Sequence, residues 1–135
     1  MNVSARRRFE SALLGIVLLS LSPAAAGATG FAGTWSVSGT LGNPVVAKVS
    51  PVCTFAQSGV RLAGTCRGPN AAGPAAGTTN GRAISWTWRA AAQNAIGASG
   101  LATFQGTLGT DGVIRGMWKF SAEPRLIGSF TAIRP

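Results

Sequence analysis

The sequence predicts an all-β fold, an antiparallel up-and-down β-barrel of eight strands, with a seven-stranded β-sandwich as the alternative. Three observations favour strands. Apolar residues alternate with polar ones beyond the N-terminal segment, no window keeps a helical period, and the chain has 19 glycines and 7 prolines in 135 residues. A closed barrel is favoured over an open sheet because closure leaves no exposed strand edges.

The N-terminal segment, residues 1–28, is predicted to be a signal peptide. Three arginines at 6–8 precede an apolar run at 12–21, and small residues at 24–28 offer A-x-A cleavage sites. The apolar run is too short to span a bilayer, so a membrane-spanning protein is not expected. We therefore expect a periplasmic or secreted bacterial protein in which residues 29–135 form a single β-barrel domain.

The first half of this domain predicts four strands. The run 33–39 places Trp35 and Val37 on one face, and a Gly- and Ala-rich stretch at 72–79 predicts a weaker fourth strand. Between them, the runs 45–55 and 60–67 share one inward parity, carried by Val45, Ala47, Val49, Cys53, Phe55, Val60, Leu62, Gly64 and Cys66. Residues 68–74 are interpreted as a loop that either borders a barrel mouth or only connects two strands.

The second half predicts four more strands, at 84–89, 102–108, 114–120 and 126–132. Their inward positions are Ile84, Trp86, Trp88, Ala102, Phe104, Gly106, Leu108, Ile114, Gly116, Trp118, Phe120 and Phe130. Asn80-Gly81 predicts a hairpin whose two central residues both have positive φ. Pairing the apolar faces of the sixth and seventh strands places Gly106 opposite Gly116, which leaves a notch for another tryptophan or for a ligand.

The two cysteines, Cys53 and Cys66, are predicted to form a disulfide, because they belong to an exported chain and flank the Ser58-Gly59 turn with the same parity. Cleavage after residue 28 leaves nine basic and two acidic side chains, a net charge of +7. The chain has no histidine and three side-chain carboxylates, which argues against catalytic triads, paired carboxylates and metal sites. We expect no enzyme activity, no cofactor and no metal.

Several short segments resemble, in order and spacing, the avidin and lipocalin (calycin) superfamily of eight-stranded barrels. They are Gly33-Thr34-Trp35, Leu62-Ala63-Gly64-Thr65, Ile84-Ser85-Trp86-Thr87-Trp88, Phe104-Gln105-Gly106 and Ile114-Arg115-Gly116-Met117-Trp118. The chain also looks like small exported bacterial proteins with a G-T-W start and paired cysteines. The resemblance implies a barrel with an interior ligand site. The polar residues with which avidins hold biotin would fall at Val37, Cys66 and Gly68, so biotin binding is not expected.

The main functional hypothesis is a small-ligand-binding or envelope-associated module that holds an apolar or aromatic ligand inside the barrel. Its candidate residues are Trp35, Trp86, Trp88, Phe104 and Trp118. The competing interpretation is that these rings only fill the core against the inward glycines.

Two other hypotheses concern the outside of the barrel. Outward parity gives a basic surface for anionic envelope components such as lipopolysaccharide or acidic polysaccharide, formed by Arg61, Arg67, Arg89, Arg115 and Lys119. The same charges could simply keep the surface soluble, and because no aromatic residues lie among them, specific nucleic-acid binding is not expected. Alternatively, the segment 29–31 could insert into a secreted protease as an inhibitor.

Overall fold

A computed structural model describes residues 30–135, which form one antiparallel sheet and contain no helix. The strands are β1 (Gly33–Leu41), β2 (Ala47–Val49), β3 (Val52–Ser58), β4 (Arg61–Arg67), β5 (Ala71–Asn80), β6 (Ala83–Ala92), β7 (Gly100–Leu108), β8 (Ile114–Phe120) and β9 (Gly128–Ile133). Residues 31–135 make up a compact unit of their own. The predicted signal peptide lies outside the described residues. No helix within residues 30–135 has the length and apolar character needed to cross a membrane.

The sheet closes on itself because β9 pairs with β1. Strands β2 and β3 occupy the same edge of β1, where Gly39 pairs with Val49 and Ser36 pairs with Val52. They act as one strand interrupted at Pro51, which has no N–H to donate, although its carbonyl still accepts a hydrogen bond from Val37 N at 2.9 Å. Eight strand positions therefore surround the axis, and the predicted antiparallel eight-stranded barrel is confirmed over the sandwich.

All the predicted strands are present in the structure. The observed strands differ from the predicted ones mainly in length. The weak fourth strand is a full ten-residue strand, β5, which takes in part of the stretch interpreted as a loop at 68–74. Two residues expected to face inward, Val45 and Val60, are instead exposed, because they lie in connections beyond the strand ends.

The hairpin at Asn80-Gly81 was predicted correctly, but its turn type was wrong. Asn80 pairs with Ala83, so the central residues of the turn are Gly81 and Arg82, one position further along the chain. Only glycines have positive φ among the described residues, and Gly81 has φ 61°. A glycine with positive φ at the first central position is the pattern of a type II′ turn, in which the second position needs no left-handed residue.

The barrel interior is apolar, and no polar or charged residue is buried in the described part of the chain. The predicted disulfide is confirmed: Cys53 and Cys66 are paired across β3 and β4 and are completely buried. The predicted pairing of Gly106 with Gly116 is also confirmed. The side chains beside Gly106 belong to Phe130 and Ile114 rather than to a tryptophan, since a Cβ atom built on Gly106 would lie 3.0 Å from Cζ of Phe130 and from Cγ2 of Ile114.

Candidate functional site

A stack of aromatic rings fills the centre of the barrel. Trp86, Phe104 and Trp118 are direct neighbours across β6, β7 and β8. The centroids of Trp86 and Phe104 are 4.6 Å apart and those of Phe104 and Trp118 are 5.5 Å apart, with nearly parallel planes in both pairs. Phe130 packs edge-on against Trp86 and Phe104. At the centre of the barrel, these rings therefore pack against one another as core residues.

The end of the barrel with the tight hairpin turns, called here the turn end, is sealed. Phe31 is buried, its N–H donates to Oε1 of Gln57 at 2.7 Å, and its carbonyl accepts from Nε1 of Trp35 at 2.9 Å. The guanidinium of Arg134 lies 4.2 Å from the centroid of the Trp35 ring and donates to the Ala32 carbonyl. Trp35, a predicted ligand residue, therefore belongs to this seal.

Phe31, the apolar residue of the segment proposed for protease inhibition, is part of the same seal. Thr29 lies outside the described residues, and Phe31 is only 1% exposed. Phe31 is buried and its backbone is hydrogen-bonded inside the barrel. It is therefore not available to enter the active site of a protease, which removes the apolar residue on which the inhibitor hypothesis relied.

The opposite end, called here the loop end, contains a cavity of about 440 Å³. It lies among the connections at residues 42–46, 68–70, 93–99 and 121–127. The apolar part of its wall includes Leu41, Ala71, Trp88, Ala90, Ala102, Trp118 and Phe120 from the strands, together with Val46 and Ile96 from the loops. The polar and charged side chains that line it are Lys48, Ser50, Asn70 and Glu123. The cavity thus has an apolar wall with a few polar groups.

The strand register explains why space remains at the loop end. Trp88 is paired with Ala75 on one side and Ala102 on the other, so its ring has a small neighbour on each adjacent strand. Ala90 is the next inward residue along β6, again without a large side chain. At the centre, Trp86 is paired with Gly77 on one side and with Phe104 on the other, and the rings of Phe104, Trp118 and Phe130 fill the space around it. Of these alanines, Ala90 and Ala102 line the cavity beside Trp88, where larger side chains would fill it.

Three indole N–H groups in the interior have different environments. Nε1 of Trp118 donates to the Thr40 carbonyl on β1 at 3.0 Å. Nε1 of Trp86 and Nε1 of Trp88 are buried and have no hydrogen-bond partner within the described part of the chain. Both atoms are inaccessible, so neither serves as a donor to a molecule in the cavity, and each carries the cost of an unsatisfied polar group.

Side-chain hydrogen bonds hold two loops of the loop end together. Nδ2 of Asn94 donates to Oδ1 of Asn70 at 3.1 Å, and the Gln93 N–H donates to the Asn70 carbonyl at 2.8 Å. Oδ1 of Asn94 also accepts from the backbone N–H groups of Ile96 and Gly97. Ile96 is consequently held at the cavity lining with 82% of its surface exposed.

The structure separates the five residues predicted for the interior site. Trp88 and Trp118 line the cavity, Trp86 and Phe104 form the filled centre, and Trp35 seals the turn end. Sequence reasoning missed the rest of the cavity wall, namely Leu41, Ala71, Ala90, Ala102 and Phe120 as a group, together with the loops. The available signal was the small residues at inward positions, Ala90 and Ala102, which follow and precede large rings.

The residues predicted for the anionic surface are all exposed but do not form one patch: Arg61, Arg67, Arg89, Arg115 and Lys119. Arg115 forms an ion pair with Asp111 at 2.8 Å near the turn end. Hydrogen bonds from the Arg115 side chain and from the Val113 backbone lower the pKa of Asp111 from 3.8 to about 2, because they stabilise the charged carboxylate. Arg115 is therefore engaged with the protein's own carboxylate.

Comparisons of the chain with protein-family models, with curated protein sequences and with solved structures find no match. The eight-stranded antiparallel barrel is consistent with a calycin-like fold. Within residues 30–135, no group of His, Cys, Asp and Glu side chains is arranged to hold a metal ion.

Proposed function

We propose that this protein is an exported, non-catalytic β-barrel that binds a small apolar ligand in the cavity at its loop end. The observation that carries the proposal is the contrast between the two ends and the centre. Rings fill the centre, Phe31 and Trp35 seal the turn end, and a cavity of about 440 Å³ lined by Trp88 and Trp118 remains at the loop end.

The lining supports an apolar ligand with any polar group directed toward the rim. The volume falls in the range of about 300–1,000 Å³ that is usual for small-molecule sites. Aromatic and alanine side chains form the wall, and the cavity's charged lining residues, Lys48 and Glu123, are both exposed. A flat aromatic compound or a short aliphatic chain suits such a wall, because it needs no buried hydrogen-bond partner.

The proposal also includes that the protein has no catalytic activity and that it is exported. Glu123 is the one carboxylate at the cavity, and neither a histidine nor a second carboxylate accompanies it among the lining residues. A hydroxyl nucleophile is ordinarily activated by an adjacent base, and the lining has no histidine or carboxylate pair for a combined acid–base role. Support for export comes from the buried disulfide, since disulfides persist mainly in oxidising compartments.

The test blocks the cavity with one side chain and leaves the outer wall as a control. Ala90→Leu adds three carbon atoms at a cavity-lining position, and Ala76→Leu adds the same atoms at an exposed position on β5. The neutral fluorescent probe N-phenyl-1-naphthylamine should bind the wild type and Ala76→Leu alike. The affinity of the probe should fall about tenfold or more in Ala90→Leu, because the leucine side chain occupies the space that the probe's aromatic rings would fill.

Circular dichroism must first show that both variants keep the wild-type fold. Equal affinity of Ala90→Leu and wild type, or no saturable binding to the wild type, would contradict the proposal. Native mass spectrometry of protein purified from its own compartment then identifies the natural ligand by its mass.

A further inference from the structure

The loop end carries a group of exposed apolar side chains around the cavity, called here the apolar rim. The rim consists of Val45, Val46, Ile96 and Ile127, which are 51%, 62%, 82% and 59% exposed. Val46 and Ile96 both line the cavity. The N–H of Gly42 donates to the carbonyl of Ile127, which ties the loop that carries Val45 and Val46 to the loop that carries Ile127.

The basic side chains near the loop end have no partner among the side chains of residues 30–135. They are Lys48, Arg67, Arg89, Lys119 and Arg125. None of these five forms an ion pair or donates a side-chain hydrogen bond within residues 30–135. One acidic residue, Glu123, lies at the same end. The loop end therefore combines exposed apolar groups with a surplus of unpaired positive charge.

The arginines of the turn end have a different environment. Arg82 donates to the Leu108 and Gly109 carbonyls at 2.8 and 2.7 Å, Arg115 is paired with Asp111, and Arg134 packs on Trp35. Three of the four arginines there are thus bound to the protein itself, and Arg61 is the fourth. The protein's charge is therefore available to an external partner mainly at the loop end.

We infer that the apolar rim and the surrounding cations dock the loop end onto an anionic lipid surface. Isoleucine and valine side chains bury their surface at the boundary between head groups and acyl chains, and lysine and arginine are attracted to anionic head groups. A soluble anionic polymer would use the cations but give the exposed isoleucines no apolar environment. Docking in this orientation directs the cavity opening at the membrane, which is a source of apolar ligands.

The test measures sedimentation of the barrel domain, residues 29–135, with lipid vesicles. This part is used because the compact unit and all core residues lie within it, and because the apolar run at 12–21 could itself bind lipid. At low salt the domain should bind vesicles of equimolar phosphatidylglycerol and phosphatidylcholine, and should not bind phosphatidylcholine alone. High salt should weaken the binding, because screening reduces the attraction to the head groups.

Two pairs of variants locate the contact. The double variant Ile96→Ser, Ile127→Ser should lower the partition coefficient about tenfold or more, whereas Met117→Ser, an exposed apolar residue on the barrel wall, should leave it unchanged. Removal of one charge by Lys48→Gln or by Arg125→Gln should lower the partition coefficient about fivefold. Arg61→Gln should change it little, since Arg61 lies about 20 Å along β4 from the loop end, beyond the screening length of about 8 Å.

A spectroscopic pair reports insertion directly. The emission of Ile96→Trp should shift to shorter wavelength when anionic vesicles are added, and that of Met117→Trp should not. The inference is overturned if the domain does not bind anionic vesicles at low salt, or if Arg61→Gln weakens binding as much as Lys48→Gln. It is also overturned if dextran sulfate binds the domain and vesicles do not, which would identify a polymer as the partner.

Docking does not depend on the cavity being a ligand site. Ala90→Leu should bind vesicles as the wild type does, even where it no longer binds N-phenyl-1-naphthylamine. The two proposals therefore fail separately: unchanged vesicle binding in the rim variants contradicts docking, and unchanged probe binding in Ala90→Leu contradicts the ligand site.

Discussion

Two buried tryptophans stack on Phe104 from the strands on either side of it, and they differ in one hydrogen bond. Trp118 donates its Nε1–H to the Thr40 carbonyl at 3.0 Å. Nε1 of Trp86 is buried without a partner in the described part of the chain. Both rings are nearly parallel to Phe104 and at most 4% exposed, while Trp86 also packs edge-on against Phe55 and Phe130 and Trp118 lines the cavity. Replacement of each by phenylalanine removes the same atoms, and the environment of the N–H is the main polar difference between the two sites.

Trp118→Phe should destabilise the protein more than Trp86→Phe. Both substitutions remove the same side-chain atoms and cost packing energy at each site. In addition, Trp118→Phe breaks a hydrogen bond with a net value of about 1 kcal/mol. Trp86→Phe removes an unsatisfied donor instead, which returns about 1–2 kcal/mol of desolvation cost. The free energies of unfolding of the two variants should therefore differ by about 2 kcal/mol.

The assay is urea unfolding followed by far-ultraviolet circular dichroism, because tryptophan fluorescence differs between the variants. The dependence of free energy on urea must be unchanged for the midpoints to report stability. A Trp86→Phe variant that is destabilised as much as Trp118→Phe would refute the reasoning, and so would a Trp118→Phe variant with wild-type stability.

Three further predictions concern the disulfide, the ion pair and a glycine. Replacing Cys53 and Cys66 by serine should lower the free energy of unfolding by about 3 kcal/mol or more, measured in urea, since the disulfide closes a loop with a sequence separation of 13. Asp111→Asn should lower thermal stability at neutral pH. Because the folded-state pKa of Asp111 is depressed to about 2, its stabilisation is present above pH 4, and the difference from wild type should disappear as the pH falls through 2. Gly128→Ala should destabilise the barrel by about 1–3 kcal/mol in urea, because its Cβ would collide with Nε1 of Trp118 and the backbone of β1; wild-type stability would show that the neighbours can move.

The strands and their inward faces could be predicted because they depend on local patterns. Alternation with a period of two identifies a strand and assigns each residue to a face, whatever its partner. The pairing of Cys53 with Cys66, and of Gly106 with Gly116, also followed from short hairpins, in which the connection limits the register. The turn at Gly81 was mispredicted by one residue, since the dipeptide Asn80-Gly81 fits two turn positions and the register of β5 and β6 selects one.

The candidate site could be predicted only in part. Inward parity correctly predicted that all five rings are buried, but it does not predict how far along the barrel axis each ring lies. That distance depends on the stagger of the strands around the closed barrel, which accumulates over every pair. Trp35 therefore joined the seal at one end while Trp88 lines the cavity at the other.

The sequence by itself determined that the chain forms alternating strands, that its aromatic residues face inward and its arginines outward, and that its cysteines pair. Only the tertiary structure decided where the interior is full and where it is open. Trp118 meets Thr40 across a sequence separation of 78, and Arg134 meets Ala32 across 102. These contacts exist because β9 closes on β1, and closure is a property of the whole sheet that no local pattern contains.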